Sequence, residues 1–229
     1  MTRKLKSIDY HRLFCYSANK GIFLPLFAVF FDGIRIYLVV RAMQGYFAIG
    51  ALVILIASVL IRSSKMRKQG IKAVHFGKID KRDFIIPPFV LFYFYLIAAN
   101  VFHLPKIGNF LTESETAAWV GAGLCVLAPV IFIWGILSFG KSFRVGVDLD
   151  KPSNLVTSGA FSLSRNPLYV AFFFVLTGVF LIFPTWIFFA YLLAGMWLID
   201  RQVCIEENAL RLLYGKEYDD YCNKVRRYL

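Results

Sequence analysis

Two polar clusters bracket one apolar hairpin late in the chain. The first runs Leu155-Val156-Thr157-Ser158-Gly159-Ala160-Phe161 and continues into Arg165-Asn166-Pro167-Leu168-Tyr169. The second holds Glu206-Glu207, followed by Tyr214-Gly215-Lys216-Glu217-Tyr218 and Tyr221. Between them, Leu168 to Ile199 carries no charged residue. A hairpin through a membrane returns the chain to the side it left, so both clusters are expected at one membrane face. Ionisable groups gathered there mark a functional site.

Each cluster has a plain structural reading and a chemical one. Asn is a good N-cap and Pro suits a first helical turn, so Asn166-Pro167 starts a helix. A helix start also presents free N–H groups and a positive dipole end, which bind carboxylate or phosphate, and Arg165 beside it strengthens that. In the second cluster Glu207 has Arg211 four residues on, the favoured order for a surface pair. Glu206 has Leu210 and Leu213 on its face and no basic residue at three or four positions either way. A carboxylate on an apolar face needs a partner from elsewhere, either a protein donor such as Arg165 or a cationic ligand. Gly215 fits a helix C-cap, and the amphipathic stretch Lys216 to Arg227 suits a membrane interface. The segment Ser142 to Phe161, broken by Gly146, Pro152 and Gly159, reads as a connector or as a lid over the membrane face.

The elements that position these clusters are membrane helices. The chain has 229 residues, 59% hydrophobic and 17% charged, which excludes disorder and an ordinary soluble domain. Its apolar runs are continuous rather than alternating, so the expected fold class is an all-α polytopic bundle and not a barrel. Six apolar segments stand out: Gly21 to Val40, Tyr46 to Ile61, Ile85 to Leu104, Ala117 to Phe139, Leu168 to Phe183 and Trp186 to Ile199. The last two are divided by Pro184, where a tight turn is natural, and form the helical hairpin. Residues 1–139 then make a four-span region and 140–229 the loop, hairpin and amphipathic helices, in one integrated domain.

The net charge of +12 raises the question of nucleic acid, but the placement of the charges answers it. Of 26 Lys and Arg, 23 fall on the N-terminal segment, the 62–84 loop, residues 140–167 and the tail from Asp200. Six crossings with both termini cytoplasmic separate the charges cleanly. The basic excess therefore reflects topology and anionic headgroups, with no nucleic-acid partner expected. The first apolar run lacks a small-residue cleavage site and reads as a retained span. Asp32 and Arg35, three apart in that run, read as an internal ion pair. The four cysteines form no CxxC pair and the three histidines are scattered, so neither a disulfide scaffold nor a metal site is expected. No G-x-G-x-x-G or P-loop pattern occurs, which excludes a Rossmann-type cofactor site.

Taken together and in order, these clusters resemble the isoprenylcysteine carboxyl methyltransferase family and its phospholipid-methyltransferase relatives, over about residues 140–229. The matching pieces are Leu155-Val156-Thr157-Ser158-Gly159-Ala160-Phe161, Arg165-Asn166-Pro167-Leu168-Tyr169, Glu206-Glu207-Asn208-Ala209-Leu210 and Gly215-Lys216-Glu217-Tyr218-Asp219-Asp220-Tyr221. Asn166 stands where the family usually has His, and Phe161 where it often has Tyr. Asn keeps a hydrogen-bonding side chain but carries no proton, which points to binding rather than acid–base work at this position.

The resemblance implies an integral-membrane, S-adenosylmethionine-dependent methyltransferase with its site on the cytoplasmic face. It implies cofactor contacts at Ser153, Asn154, Leu155, Val156, Phe161, Asn166, Pro167, Leu168, Tyr169 and Glu206, with Arg165 beside them. Arg201 is the nearest candidate for an arginine that helps hold the substrate. Glu206 would meet a positive group or the ribose hydroxyls, the helix start and Arg165 the cofactor's carboxylate, and Tyr169 and Phe161 its adenine. The implied partners are the bilayer and a lipophilic or prenylated acceptor; prenylated cysteine, a phospholipid amine, an isoprenoid and a small thiol all stay open, as does the oligomeric state. Two other readings compete. One is a sterol-type reductase using a nicotinamide cofactor, which would tend to have an acidic residue where Val170 and Ala171 stand. The other is a non-catalytic membrane or lipid-binding protein.

Overall fold

A computed structural model describes residues 23–68, 86–102, 104–105, 107–112, 114–140 and 154–229, with backbone alone for 23–39, 41 and 86. Apart from one isolated β-bridge, the regular structure of the described residues is helical. The helices are α1 (Phe23–Lys68), α2 (Ile86–Val101), α3 (Glu115–Phe139), α4 (Pro167–Ile182), α5 (Trp186–Tyr214) and α6 (Lys216–Lys224), with a 3-10 turn at Gly159–Ser162. Two compact units divide the chain, Met1–Arg41 and Ala42–Leu229, and the site lies in the second. Ser153, residues 142–152 and the Asp32–Arg35 side chains fall outside what is described.

Among the described residues, three stretches are long and apolar enough to cross a membrane: Ala42–Lys68, Glu115–Phe139 and Trp186–Tyr214, of 27, 25 and 29 residues. The chain is thus a polytopic helical membrane protein. The helices α2 and α4 have 16 residues each, about 24 Å at 1.5 Å per residue. That falls short of a hydrocarbon core of about 30 Å. Two details differ from the sequence reading. Backbone through residues 41–45, where the first two apolar segments were expected to part, is helical. The segment Trp186 to Ile199 and the helix expected from Asp200 are one helix, because nothing between Ile199 and Gly215 breaks it. Gly215 then ends it as expected, with φ 52° and its N–H donating to Arg211 O.

Between membrane helices there is little hydrophobic driving force, so close backbone approach matters more than apolar area. The pairing of α3 with α4 shows this. A Cβ on Gly121 would lie 2.5 Å from Gly178 O, and one on Gly178 2.7 Å from Gly121 O, so neither helix tolerates a side chain there. Further along, Leu168 packs into the space left by Gly135. Around this seam lies a core of Leu52, Leu55, Ile97, Phe132, Val175, Val179 and Phe188. At the hairpin turn, Pro184 O accepts from Leu111 N–H at 2.7 Å, and Thr185 caps α5 by accepting from Phe188 N–H at 3.4 Å.

Candidate functional site

The polar end of the hairpin is built around two consecutive carboxylates on α5 that face different partners. Successive residues of a helix point about 100° apart. Glu206 is half-buried, and its Oε1 accepts from the Tyr169 hydroxyl at 2.8 Å and from Gln202 Nε2 at 3.3 Å. Glu207 is 1% exposed. Its Oε1 accepts from Arg165 Nε and Asn166 Nδ2, both at 3.2 Å, and its Oε2 from Arg227 Nη2 at 2.9 Å and Nε at 3.2 Å. Both oxygens of Glu207 are therefore saturated by charge-assisted or amide bonds, the condition for keeping a charge buried.

This corrects the surface pair expected between Glu207 and Arg211. Arg211 turns instead to Asp219, at 3.3 Å, and to Asn208, at 3.5 Å, with its guanidinium over the Tyr218 ring. An exposed i,i+4 pair is worth only a few tenths of a kcal/mol, roughly, and yields to two guanidiniums meeting a buried carboxylate.

Arg165, expected beside a ligand carboxylate, faces Glu207. Its Nη1 also donates to Cys222 O and Val225 O, both at 3.1 Å, satisfying carbonyls that the end of α6 leaves open. Asn166 occupies the N-cap of α4, and its carbonyl accepts from Tyr169 and Val170 N–H at 3.0 and 3.1 Å. Its side chain makes no cap bond and reaches Glu207 and Arg227 O instead. Glu206 thus finds a partner from another helix in Tyr169. Phe161, expected against adenine, is buried with its ring 4.4 Å from that of Phe139. Its carbonyl accepts from the Tyr221 hydroxyl at 2.6 Å.

The 3-10 turn is pinned from α3 as well. Ser138 Oγ accepts from Ala160 N–H at 3.0 Å and donates to Trp134 O at 2.8 Å. Gly159 lies over that oxygen with φ +65°, a conformation and a proximity that both exclude a Cβ. Upstream, Arg62 Nη2 donates to Gly140 O at the end of α3. Pro167 is buried, Leu168 half-buried, Leu155 and Val156 half-buried, Asn154 exposed and Arg201 half-buried.

Residues 116–217 match the profile of the phospholipid methyltransferase family. Among curated proteins, the protein-S-isoprenylcysteine O-methyltransferase of Tribolium castaneum is 34% identical over 119 residues, which is 50% of this chain and 42% of that protein. A probable protein-S-isoprenylcysteine O-methyltransferase of Oryza sativa subsp. indica is 25% identical over 118 residues, 50% of this chain and 62% of the relative. The chain spans about half the length of the curated relatives it matches. Among solved structures, the eukaryotic intramembrane Ras methyltransferase (isoprenylcysteine carboxyl methyltransferase) aligns over 92% of this chain and 86% of its own, at 20% identity and a TM-score of 0.46.

The matched segment contains both carboxylates, Tyr169, Arg165 and the pinned turn. It stops short of Arg227, which bonds Glu207, of Tyr228, which bonds Asp200, and of Tyr221, which bonds the Phe161 carbonyl. Tyr221 belongs to the second cluster read from sequence, whereas Arg227, Tyr228, Asp200 and Ser138 were not singled out there as site residues. The tail read only as a basic interfacial stretch, and the bonds joining it to residues 164–166 and to Glu207 span 20 to 63 positions. Burial pushes the Tyr218 and Tyr221 phenols up from their ordinary value of 10.0, and burial with the Asp200 contact does the same for Tyr228. Their hydroxyls thus stay protonated donors. Hydrogen bonding to Glu207 raises Arg227 as well.

Proposed function

We propose that this protein is an integral-membrane S-adenosylmethionine-dependent methyltransferase acting on a lipophilic acceptor of the prenylated-cysteine kind, with its site on the cytoplasmic face. The observation that carries the reading is the Tyr169–Glu206 pair. It is a half-buried carboxylate aimed by a phenol, at the polar end of an apolar hairpin, inside the segment matched by the phospholipid methyltransferase family. The curated relatives named as isoprenylcysteine O-methyltransferases support the choice of acceptor class.

The residues fit the cofactor's chemistry. Glu206 suits its ammonium or ribose hydroxyls, and an aromatic ring beside that carboxylate, Tyr169, suits adenine. Asn154, Leu155 and Val156 supply backbone groups, Pro167 and Leu168 apolar surface, and Arg201 a cation for the acceptor. Arg165 and Asn166 serve through Glu207, and Phe161 through the pinned turn. When bound, S-adenosylmethionine supplies an electrophilic methyl group on a sulfonium. The chain's part is alignment and dryness. Fixing Glu206 and Tyr169 on two packed helices holds the geometry that an in-line displacement demands. The apolar hairpin excludes water and admits a lipophilic acceptor from the bilayer. An acceptor carboxylate is already ionised, so no side chain has to act as a base.

Calorimetry with S-adenosylmethionine on detergent-purified protein tests this, with Glu206→Ala and Asn166→Ala alongside. Saturable binding that is lost in Glu206→Ala and weakened in Asn166→Ala is expected. Absence of binding by folded wild-type protein, with nicotinamide nucleotides binding in its place, would overturn the reading.

A further inference from the structure

Beyond the family segment, Val225–Tyr228 leaves α6 and folds back over the start of α4 and along α5. Its backbone is held at two carbonyls. Arg226 O accepts from Arg165 N–H at 2.9 Å, and Arg227 O accepts from Ser164 Oγ and Asn166 Nδ2, both at 3.2 Å. Its side chains reach α5. The Arg227 guanidinium joins Glu207 to Asp200, with Nη1 3.8 Å from the latter, and the Tyr228 hydroxyl donates to Asp200 at 3.0 Å. The Tyr228 ring stands edge-on to Phe173 at 5.1 Å. Arg165, Glu207, Arg227 and Asp200 thus form an alternating chain of four charges with no net charge.

We propose that Arg227 is a positioning residue for Glu206, so that this strap tunes cofactor affinity from outside the cofactor contacts. The inference rests on the reading of Glu206 as a cofactor contact. Glu206 and Glu207 are neighbours on one helix, so a clasp that fixes the rotation of α5 at Glu207 also fixes the direction in which the Glu206 side chain leaves the backbone. Arg165 and Asn166 hold one oxygen of Glu207 and Arg227 holds the other, which sets the carboxylate from two sides. Arg227 is also the removable half of the clasp. Its side chain is 38% exposed against 11% for Arg165 and 2% for Glu207. Truncating it lets water reach Glu207 Oε2 instead of stranding a charge in a dry site. The fold then survives while the rotation of α5 about Tyr169 relaxes. Coupling between two sites is reciprocal, so cofactor binding must in turn tighten the strap.

The test uses the full chain in detergent. S-adenosylmethionine affinity is measured for wild type, Arg227→Ala and Arg227→Lys, and hydrogen exchange of the peptide carrying the Arg165 amide is followed with and without the cofactor. The expected result is about tenfold weaker binding by Arg227→Ala at unchanged helical content, some 1.4 kcal/mol. Partial recovery in Arg227→Lys and cofactor-dependent slowing of exchange in wild type are expected with it. If Arg227→Ala does not fold, the lysine variant and the wild-type exchange decide. Wild-type affinity in folded Arg227→Ala, or exchange at the Arg165 amide indifferent to bound cofactor, overturns the positioning role and leaves Glu206 as a cofactor contact. Failure of wild type itself to bind removes the reading beneath it.

Discussion

Glu206 and Glu207 share a helix, a side-chain chemistry and an apolar neighbourhood, yet their surroundings differ in kind. Glu207 is closed, with both oxygens held by two arginines and an asparagine and almost no contact with water. Glu206 is half-buried, and the Tyr169 phenol and the Gln202 amide donate to it. A closed carboxylate has no direction left for a ligand, so its contribution is to hold α4, α5 and the strap together. A carboxylate aimed but not enclosed is the one suited to recognition. Adjacent identical residues thus divide structure and binding between them.

The division breaks most visibly at Glu207. Glu207→Gln removes a charge that two guanidiniums are arranged around, and breaking a buried pair costs about 3 kcal/mol or more. Thermal unfolding in detergent should show a clear drop in midpoint; an unchanged midpoint would mean the clasp is not structural. Next in size is Asn166→Ala, which deletes one donor to Glu207 and one to Arg227 O, worth about 1 kcal/mol. The same unfolding measurement checks it. Arg211→Ala sharpens the contrast from the other side. Its pair with Asp219 is exposed, 44% and 60% for the two side chains, so the loss should stay under about 0.5 kcal/mol. A drop comparable to Glu207→Gln would restore the surface pair read from spacing.

Alkaline pH separates the clasp's surroundings without mutation and has no effect near neutrality. Tyr218, Tyr221 and Tyr228 have folded-state pKa values above the ordinary 10.0, chiefly through burial. In the unfolded chain the phenols lose their protons near that value while the folded chain retains them. Their contribution is therefore fully present below pH ~10 and is lost as pH rises beyond it. Tyrosine absorbance should show these phenols ionising together with unfolding; early ionisation in folded protein would place them in water.

Much of this layout can be read from residue types. Apolar runs located the helices, Pro184 the hairpin turn and Gly215 the end of α5, because each rests on local backbone physics. Glu206 could be singled out as a carboxylate needing a partner from another element, and Tyr169 is that partner. What stayed hidden depends on long-range contacts. Glu207 looked satisfied by Arg211 because spacing reports only neighbours on the same helix. Its true partners, Arg165 and Arg227, lie 42 and 20 positions away. Phe161 looked like a ligand-facing aromatic because nothing local reveals that Phe139 covers it. The helical backbone at 41–45 was not read because the apolar run is interrupted there by Arg41, Gln44 and Gly45, which a helix accommodates.

The most direct test of the division is Glu206→Gln, with cofactor affinity and thermal midpoint measured on one preparation. The account expects S-adenosylmethionine binding to fall at least about tenfold while the midpoint stays at the wild-type value. Undiminished binding, or a midpoint that falls as far as that of Glu207→Gln, would contradict it.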